Sequence, residues 1–383
     1  MIPDGVVIDA RTASPEFPGI GRYVLGLTHA LATIERASGP ARVTLLTTTA
    51  PSARLPPLAM LPTGASPFDL RQQWQVPRAL RRAGARLYHS PYYLMPYAPG
   101  APAVVNCYDM IPLAVPGLFG PAARLAFRVA HILAFRASVA IIVPSEATRA
   151  DVERFFPASA RKVVVVPAGA EISARLFAEE ARALRQSLNL PARYVLYVGS
   201  NKPHKNVPLL AVAWARAIRQ CPAVTRGVQL VVAGPNDPRY PRADAVADDH
   251  GAGGRVSVLG QVDDRVLSAL YAGAALFAFP SQCEGFGLPV VEAMAHGAPV
   301  VCGDTPALAE LAGGAAAMCP TTHPGPLAET IVRLLGDEGE AARLREAGRA
   351  RSAGFTWDRT ARGTTDVYRR ILGEGAGMIG ASR

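Results

Sequence analysis

The stretch Phe279-Pro280-Ser281-Gln282-Cys283-Glu284-Gly285-Phe286-Gly287-Leu288-Pro289-Val290-Val291-Glu292 decides the fold of the second half of this chain. It begins at the end of the apolar run 275–279. This run is short and has the length of a buried strand. Glycines interrupt its middle, and Pro289 then opens a helix, because proline suits a first helical position whose N–H has no partner. A strand, a glycine-containing loop and a helix in this order form the repeating unit of a parallel α/β sheet.

Two carboxylates lie eight residues apart in this stretch, with Glu284 in the loop and Glu292 just inside the helix. A helix N-terminus presents free N–H groups and the positive end of a dipole, and proteins bind phosphates there. We therefore predict a site for a polar ligand that carries phosphate. The alternative interpretation is a plain strand–loop–helix joint, with a solvated Glu284 and with Glu292 on the helix surface.

Apolar strands alternate with amphipathic helices over both halves of the chain. In the first half we expect a loop at Gly19-Ile20-Gly21, a helix at 22–34, and strands at 6–8, 43–46, 86–89, 103–107, 140–143 and 163–166. In the second half we expect strands at 194–199, 229–234, 256–260, 275–279 and 299–302. Strands separated by helices predict parallel sheets with helices on both faces, and 383 residues predict two such domains.

Four loops of the second half leave from the carboxyl ends of predicted strands. They carry Lys205, Gly234, Gln261 and Glu284. Ligands of open parallel sheets bind at this edge, so we expect the four loops to converge on one site. The segment 167–171 ends the first alternating run, and we place the boundary between the domains there.

Cysteine use and hydropathy limit the cellular context. The five cysteines are scattered and include no CxxC pair, which argues against a disulfide framework or a zinc site and favours a reducing compartment. No apolar run approaches the roughly 18–20 residues that span a bilayer, and the N-terminus lacks the basic segment of a signal peptide. We expect a cytoplasmic protein and leave open a peripheral contact with the inner face of the plasma membrane.

The net charge of +10 is concentrated in the first half, where residues 1–170 carry 17 Lys and Arg against 9 Asp and Glu. Three of these cations, Arg124, Arg128 and Arg136, are interleaved with apolar residues. An apolar, basic helix of this kind suits an anionic membrane surface, and the alternative is a core-packed helix with a solvated arginine edge. The chain shows no nucleic-acid recognition motif, so we expect no nucleic-acid partner.

Lysine is rare in this chain, which has 37 arginines and three lysines. Two of the three, Lys202 and Lys205, lie in the loop Gly199-Ser200-Asn201-Lys202-Pro203-His204-Lys205-Asn206. Lysine offers a compact point charge on a flexible stem, which arginine does not. Such a charge suits a diphosphate group.

The ordered set of motifs resembles retaining glycosyltransferase family 4, whose GT-B fold has two Rossmann-like domains that face each other across a cleft. The stretch 279–292 is similar to that family's E-x7-E signature. Further segments similar to the family follow in the family order, at 19–23, 89–91, 259–262, 270–274 and 303–310 and in the tail around Trp357. The resemblance implies an acceptor domain at 1–169, a donor domain at 170–357, and a C-terminal helix at about 358–383 that returns to the first domain.

The resemblance also implies a role for each motif in binding a nucleotide sugar. It assigns Glu292 to the ribose hydroxyls, Glu284 to the sugar hydroxyls and Lys205 to the diphosphate. Gln261 and Val262 would meet the base, and the loop at 19–21 would approach the phosphates. The residues expected to bind the donor are Gly19, Gly21, Ser200, Lys202, Lys205, Gly234, Gln261, Val262, Glu284, Gly285, Phe286, Gly287, Leu288 and Glu292.

Two positions depart from the family pattern. His204 stands where relatives carry arginine, which weakens the local positive charge, and Lys202 can compensate for it. Tyr108-Asp109 stands where relatives often have a His-Asp pair near the transferred sugar. A tyrosine hydroxyl can hydrogen-bond a sugar, but it carries no positive charge. The residues expected to take part in catalysis are Lys205, Glu284, Asp109 and Tyr108.

Within the family, the chain is similar to bacterial mannosyltransferases that build surface polysaccharide. This implies retaining transfer of mannose from GDP-mannose to a glycan or polyprenyl-diphosphate-linked acceptor. The sequence contains no Asp-x-Asp motif, so we expect no catalytic metal, and we expect no cofactor besides the nucleotide sugar. Two alternatives stay open: a UDP-sugar donor, and a catalytically silent binding partner in a polysaccharide assembly complex. A dinucleotide-dependent oxidoreductase is disfavoured because residues 19–24 supply only half of a G-x-G-x-x-G turn.

Overall fold

A computed structural model of the chain describes residues 2–14, 17–38, 42–115, 117–170 and 177–374. The chain divides into two compact units. The first unit consists of Met1–Gly169 together with Thr356–Arg383, and the second unit is the intervening Ala170–Phe355. Within the described residues, no helix is both long and apolar enough to cross a bilayer.

The first unit is an α/β domain built on a parallel sheet. Its strands are β1 (Val6–Asp9), β2 (Val43–Thr48), β3 (Ala59–Thr63), β4 (Leu87–Ser90), β5 (Ala103–Asn106), β6 (Ala140–Val143) and β7 (Val163–Val165). Its helices before the second unit are α1 (Pro18–Ser38), α2 (Gln72–Arg82), α3 (Ile111–Ala114), α4 (Pro121–Ala137) and α5 (Glu146–Phe155).

The second unit has the same kind of architecture. Its strands are β8 (Arg193–Val198), β9 (Val228–Ala233), β10 (Val256–Gly260), β11 (Leu276–Phe279), β12 (Val300–Gly303) and β13 (Ala317–Cys319). Its helices are α6 (Ala178–Ser187), α7 (Val207–Gln220), α8 (Pro222–Thr225), α9 (Ala243–Asp249), α10 (Asp264–Gly273), α11 (Leu288–Ala295), α12 (Pro306–Ala312), α13 (Pro324–Gly336) and α14 (Glu338–Ser352). Helix α15 (Trp357–Leu372) then belongs to the first unit.

The two sheets share one strand order. Within the described ranges, the first runs β3-β2-β1-β4-β5-β6-β7 and the second runs β10-β9-β8-β11-β12-β13, with the paired strands parallel. Each is the doubly wound order of a Rossmann-like domain, in which the winding direction reverses between the first and fourth strands. The reversal lies between β1 and β4 in the first unit and between β8 and β11 in the second. The predicted fold class of two Rossmann-like α/β domains is therefore confirmed.

The central strands are buried along their whole length, as parallel strands covered on both faces must be. β1, β4, β5, β6, β11 and β12 are buried at every position. Most of their sequences are accordingly apolar runs, whereas β4 buries the polar His89 and Ser90. Several helices begin at a side-chain cap, as at Ser145, Asp263 and Thr305, whose side-chain oxygens accept a backbone N–H three residues on.

Helix α15 packs on α1 and completes the first unit, which confirms the predicted return of the C-terminal helix. The Trp357 ring packs so closely on Gly26 that a Cβ added to Gly26 would lie only 2.1 Å from a ring atom. Further along the helix, the Tyr368 hydroxyl bonds Nδ1 of the buried His89 at 2.6 Å. The predicted helix residues 375–383 lie outside the described part of the chain.

Three features differ from the sequence-based expectations. Helix α1 begins at Pro18, so Gly19 and Gly21 lie in its first turn and the predicted loop at 19–21 is wrong. Gly21 is closely packed, because a Cβ there would lie 3.1 Å from the Thr12 carbonyl oxygen. Strands β3 and β13 were not expected. β3 contains Pro62 and lies at the sheet edge, where proline is tolerated, and β13 is only three residues long.

Candidate functional site

Three neighbouring strands of the second unit deliver their loops to one edge of the sheet. The Gly234 N–H donates to the Gly260 carbonyl at 2.7 Å, and the Gly199 N–H donates to the Ala233 carbonyl at 2.9 Å. Gly234 has φ +131, and a Cβ there would lie 2.3 Å from the Gly199 carbonyl oxygen. The loops after β8, β9 and β10 therefore meet closely because glycine leaves room for the backbone.

The lysine loop at 199–206 is fixed by Asn201. Its buried side-chain amide donates to the carbonyls of Asp237, Tyr240 and Pro241 at 3.0, 3.1 and 3.3 Å. Its oxygen accepts the Asp237 N–H at 2.7 Å. This one side chain joins the loop after β8 to the loop after β9. Lys202, next to it, is exposed to solvent.

His204 joins the lysine loop to the loop after β11 through its backbone carbonyl. That oxygen accepts the Gln282 N–H at 2.8 Å and the Ser281 hydroxyl at 3.0 Å. Burial of the imidazole, and next the charge of Lys205, lower the pKa of His204 to about 4. The ring is therefore neutral at pH 7, so His204 does not supply the positive charge that the resemblance led us to expect at this position.

Lys205 and Glu284 form an ion pair, with Nζ 2.6 Å from Oε1. The side chains are 20% and 9% exposed, and the lysine ammonium lies 5.4 Å from the centre of the Phe279 ring. One residue follows β8 and the other follows β11, so the pair sits where the winding of the sheet reverses, which is where such folds bind ligands. The structure thus brings together the two residues of this unit that were predicted to be catalytic.

Helix α11 begins immediately after the loop that carries Glu284. Its N-cap, Gly287, has φ +110, and a Cβ there would lie 2.6 Å from the Leu308 Cδ2 atom. Gly285, Phe286 and Gly287 are buried, whereas Leu288 is partly exposed. The predicted helix N-terminus is therefore present directly beside the ion pair.

Glu292 is buried on α11, with 4% of its surface exposed. Its Oε2 accepts a hydrogen bond from the Tyr271 hydroxyl at 2.9 Å. Both glutamates have specific partners and little exposure, so the alternative of a solvated Glu284 and a surface Glu292 is wrong. Tyr271 lies on α10 and was not predicted as a site residue.

The remaining residues of this unit that were predicted to bind the donor lie in the loops at the same edge. The Ser200 carbonyl accepts the Tyr197 hydroxyl at 2.8 Å, which shapes the start of the lysine loop. Gln261 is exposed and Val262 is partly exposed, directly after β10. Their placement leaves Gln261 accessible to a ligand at the strand ends. Within the described residues, no group of three or more His, Cys, Asp or Glu side chains is arranged to hold a metal ion.

The first unit holds the other predicted residues, with Gly19 and Gly21 in the first turn of α1 and Tyr108 and Asp109 directly after β5. The Tyr108 hydroxyl accepts a hydrogen bond from the Asn106 amide at 3.3 Å, and its ring contacts Tyr23 of α1 at 5.3 Å. Burial raises the pKa of Tyr108 well above its usual value, so its hydroxyl stays protonated. Asp109 Oδ1 accepts the N–H of Ile111, the first residue of the short helix α3, at 3.0 Å. Asp109 therefore has a structural function that its sequence context did not reveal.

Family models match both units of the chain. The model described as glycosyltransferase family 4 matches residues 18–174, and the model described as glycosyl transferases group 1 matches residues 192–337. Together the two matches span most of the sequence.

Two characterised relatives show what the chain is similar to. It is 27% identical over 305 residues to O-antigen chain mannosyltransferase B of Escherichia coli, covering 79% of this chain and 77% of that protein. It is 30% identical over 236 residues to the MMP alpha-(1->4)-mannosyltransferase of Mycolicibacterium hassiacum, covering 61% of this chain and 54% of that protein. The chain thus spans about half the length of the second relative.

Solved structures share the fold at low sequence identity. Sucrose-phosphate synthase from Thermosynechococcus elongatus superimposes with a TM-score of 0.77 at 22% identity, covering 97% of this chain and 100% of that one. Anabaena HepE, solved in complex with UDP and glucose, gives a TM-score of 0.74 at 20% identity, with the same coverage. These matches confirm the GT-B fold class.

Proposed function

The chain belongs to the glycosyltransferases, with a family 4 domain followed by a group 1 domain, and from this premise we propose that it transfers mannose from GDP-mannose with retention of configuration. The acceptor would be a glycan or a polyprenyl-diphosphate-linked glycan in the synthesis of a cell-surface polysaccharide. The single observation that supports this proposal best is the Lys205–Glu284 pair beside the N-terminus of α11. A cation, a carboxylate and the N-terminal end of a helix suit a ligand that has both phosphates and hydroxyls.

The positive groups would act on the leaving diphosphate. As the bond between the anomeric carbon and the phosphate oxygen breaks, negative charge accumulates on that oxygen. Lys205 and the amides at the start of α11 are already in place, so they stabilise this charge without reorganising, which contributes several kcal/mol in comparable sites. Because these groups supply positive charge and the sequence has no Asp-x-Asp motif, we propose a reaction without a metal ion.

The two glutamates would bind hydroxyl groups rather than act as a glycosidase pair. Each has a separate partner, Lys205 for Glu284 and Tyr271 for Glu292. Glu284 would accept hydrogen bonds from the transferred sugar and Glu292 from the ribose, since a carboxylate can accept from two neighbouring hydroxyls. The acceptor oxygen would attack the anomeric carbon on the face that the diphosphate leaves, and the acceptor proton would pass to a phosphate oxygen.

The first unit would bind the acceptor, and Tyr108 would hydrogen-bond a sugar there. This unit exposes apolar side chains beside cations. Phe68, Leu70 and Trp74 are 62%, 78% and 59% exposed, and the neighbouring Arg71 and Arg78 are exposed as well. A surface that is both apolar and basic suits an acceptor carried on an anionic lipid.

Mannose is favoured because both relatives described above are mannosyltransferases by name. A UDP-sugar is the second candidate, favoured by the fold shared with HepE, whose structure contains UDP and glucose. A panel of GDP- and UDP-sugars decides between them when release of nucleoside diphosphate is measured with and without a glycan acceptor. We expect the fastest release from GDP-mannose. Faster release from a UDP-sugar would select the second candidate, and no release from any sugar would leave only the silent binding partner.

The outer face of α4 gives a prediction about membranes. Leu125, Val129 and Leu133 are spaced four residues apart and are 62%, 46% and 39% exposed, with Arg128 and Arg136 exposed beside them. We expect replacement of all three apolar residues by serine to weaken binding to phosphatidylglycerol vesicles about 100-fold, at about 1 kcal/mol for each side chain. Co-sedimentation with vesicles measures this.

The matched control is Val139→Ser, because Val139 is 49% exposed but follows the helix rather than lying on this face. We expect this variant to bind vesicles as the unaltered protein does. If the triple variant and the control bind vesicles equally well, α4 does not contact the membrane.

A further inference from the structure

Glu292 is held by residues that lie outside the motif that contains it. Tyr271 lies on α10, 21 residues earlier in the chain, and donates its hydroxyl to Glu292 Oε2 at 2.9 Å. Tyr271 is 1% exposed and Glu292 is 4% exposed, so little water competes for this bond. A hydrogen bond to a buried carboxylate fixes the orientation of the carboxylate and of the helix residue that carries it.

His296 links the same two helices, α10 and α11, through hydrogen bonds. Its Nδ1 lies 2.8 Å from the Glu292 carbonyl oxygen, and its Nε2 lies 2.7 Å from the Ser268 hydroxyl. A carbonyl only accepts, so Nδ1 carries a proton and donates it to the Glu292 carbonyl, while Nε2 and the Ser268 hydroxyl form the second hydrogen bond. The His296 ring also stacks on the Tyr271 ring, with centroids 5.5 Å apart and planes 26° apart.

We infer that Tyr271 is a positioning residue for nucleotide binding, supported by His296 and Ser268. The inference rests on the proposed function, in which Glu292 binds the ribose of the donor. A free glutamate side chain would lose rotamer freedom each time a nucleotide binds, whereas the bond to Tyr271 restricts it beforehand. A carboxylate accepts about four hydrogen bonds, so the bond from Tyr271 is compatible with bonds from two ribose hydroxyls.

The test compares two nucleotides that differ only in those hydroxyls. Calorimetry gives the dissociation constants of GDP and of 2′,3′-dideoxy-GDP for the full chain and for Tyr271→Phe. We expect the unaltered protein to prefer GDP. We expect Tyr271→Phe to bind GDP about tenfold more weakly and the dideoxy nucleotide equally well, because a hydrogen bond to a charged group is lost. Glu292→Ala, which has no group to hydrogen-bond the ribose, serves as the reference for complete loss of the preference.

Tyr194→Phe is the matched control. Tyr194 is also fully buried, and its hydroxyl donates to the carbonyl of Leu270, the residue before Tyr271, at 2.7 Å. A purely structural effect would lower the melting temperature of both variants and leave the preference for GDP in both. If Tyr271→Phe proves too unstable to titrate, Ser268→Ala tests the outer end of the same chain, with an expected twofold to threefold loss of preference.

Three outcomes are distinguishable. If the variants that can be titrated keep the full preference for GDP over the dideoxy nucleotide, the positioning role is overturned. It is also overturned if the unaltered protein binds the two nucleotides equally. The same measurements with UDP and 2′,3′-dideoxy-UDP apply if the donor screen selects a UDP-sugar. A chain that binds neither nucleoside diphosphate contradicts the proposed function itself.

Discussion

Lys205→Ala is expected to lower kcat by about 10²–10³, the usual effect of removing a preorganised group that stabilises the leaving charge. The variant loses the cation that would meet the diphosphate. It also leaves Glu284, whose side chain is 9% exposed, without its 2.6 Å partner and free to repel the incoming phosphates. The cost to folding is smaller, about 1–3 kcal/mol, because Glu284 loses its partner but keeps some contact with water.

Nucleoside diphosphate release under saturating donor measures this effect, together with thermal unfolding. Lys162→Ala is the control, because Lys162 Nζ also makes two close bonds, to the Phe135 and Ser138 carbonyls at 2.8 Å each, but does so in the first unit. We expect it to lose stability and to keep its kcat. Turnover by Lys205→Ala at the level of the unaltered protein would remove Lys205 from the proposed chemistry.

Gly234→Ala is expected to reduce the free energy of unfolding by about 3–5 kcal/mol. The new Cβ would lie 2.3 Å from the Gly199 carbonyl oxygen and 2.8 Å from its carbon. Both are backbone atoms at the end of a central strand, so they cannot turn aside as a side chain would. The substitution therefore has to separate the loops after β8 and β9.

Gly260→Ala measures the free-energy cost of a positive φ without a steric clash. Gly260 also has a positive φ, +70, but a Cβ there meets nothing within 4 Å. We expect it to cost only about 1 kcal/mol in urea unfolding. A result in which both variants lose the same stability would mean that the close approach of Gly234 to Gly199 is not present in solution.

The fold could be predicted wherever apolar runs were long and were separated by helices. The strands at 6–8 and 275–279 were recognisable because burial on both faces produces uninterrupted apolar sequence. β3 was missed because an edge strand is only partly buried and so has no such run. The start of α1 was misplaced because Gly19 and Gly21 disfavour a helix interior, whereas packing against the Thr12 carbonyl fixes Gly21 there.

The candidate site could be predicted in part for a topological reason. Lys205 and Glu284 are 79 residues apart, yet both follow strands that flank the winding reversal, so their meeting follows from the strand order. Tyr271, His296 and Asn201 were missed. Their roles depend on which helix faces and loops come into contact. The spacing of residues within a short stretch of sequence does not indicate such contacts. The catalytic roles assigned to Lys205, Glu284, Tyr108 and Asp109 stay predictions.

The attachment of Trp357 to Gly26 has a consequence for synthesis on the ribosome. The part of the first unit that precedes Ala170 emerges early, but helix α15 leaves the ribosome only after the second unit has been translated. At bacterial and eukaryotic elongation rates this interval is roughly 10–40 s. During that time the surface of α1 around Gly26, which Trp357 later covers, is exposed on the nascent chain. Chaperones bind apolar surface of this kind. A message truncated before codon 357 would therefore yield a product suited to degradation rather than an independently folded first unit.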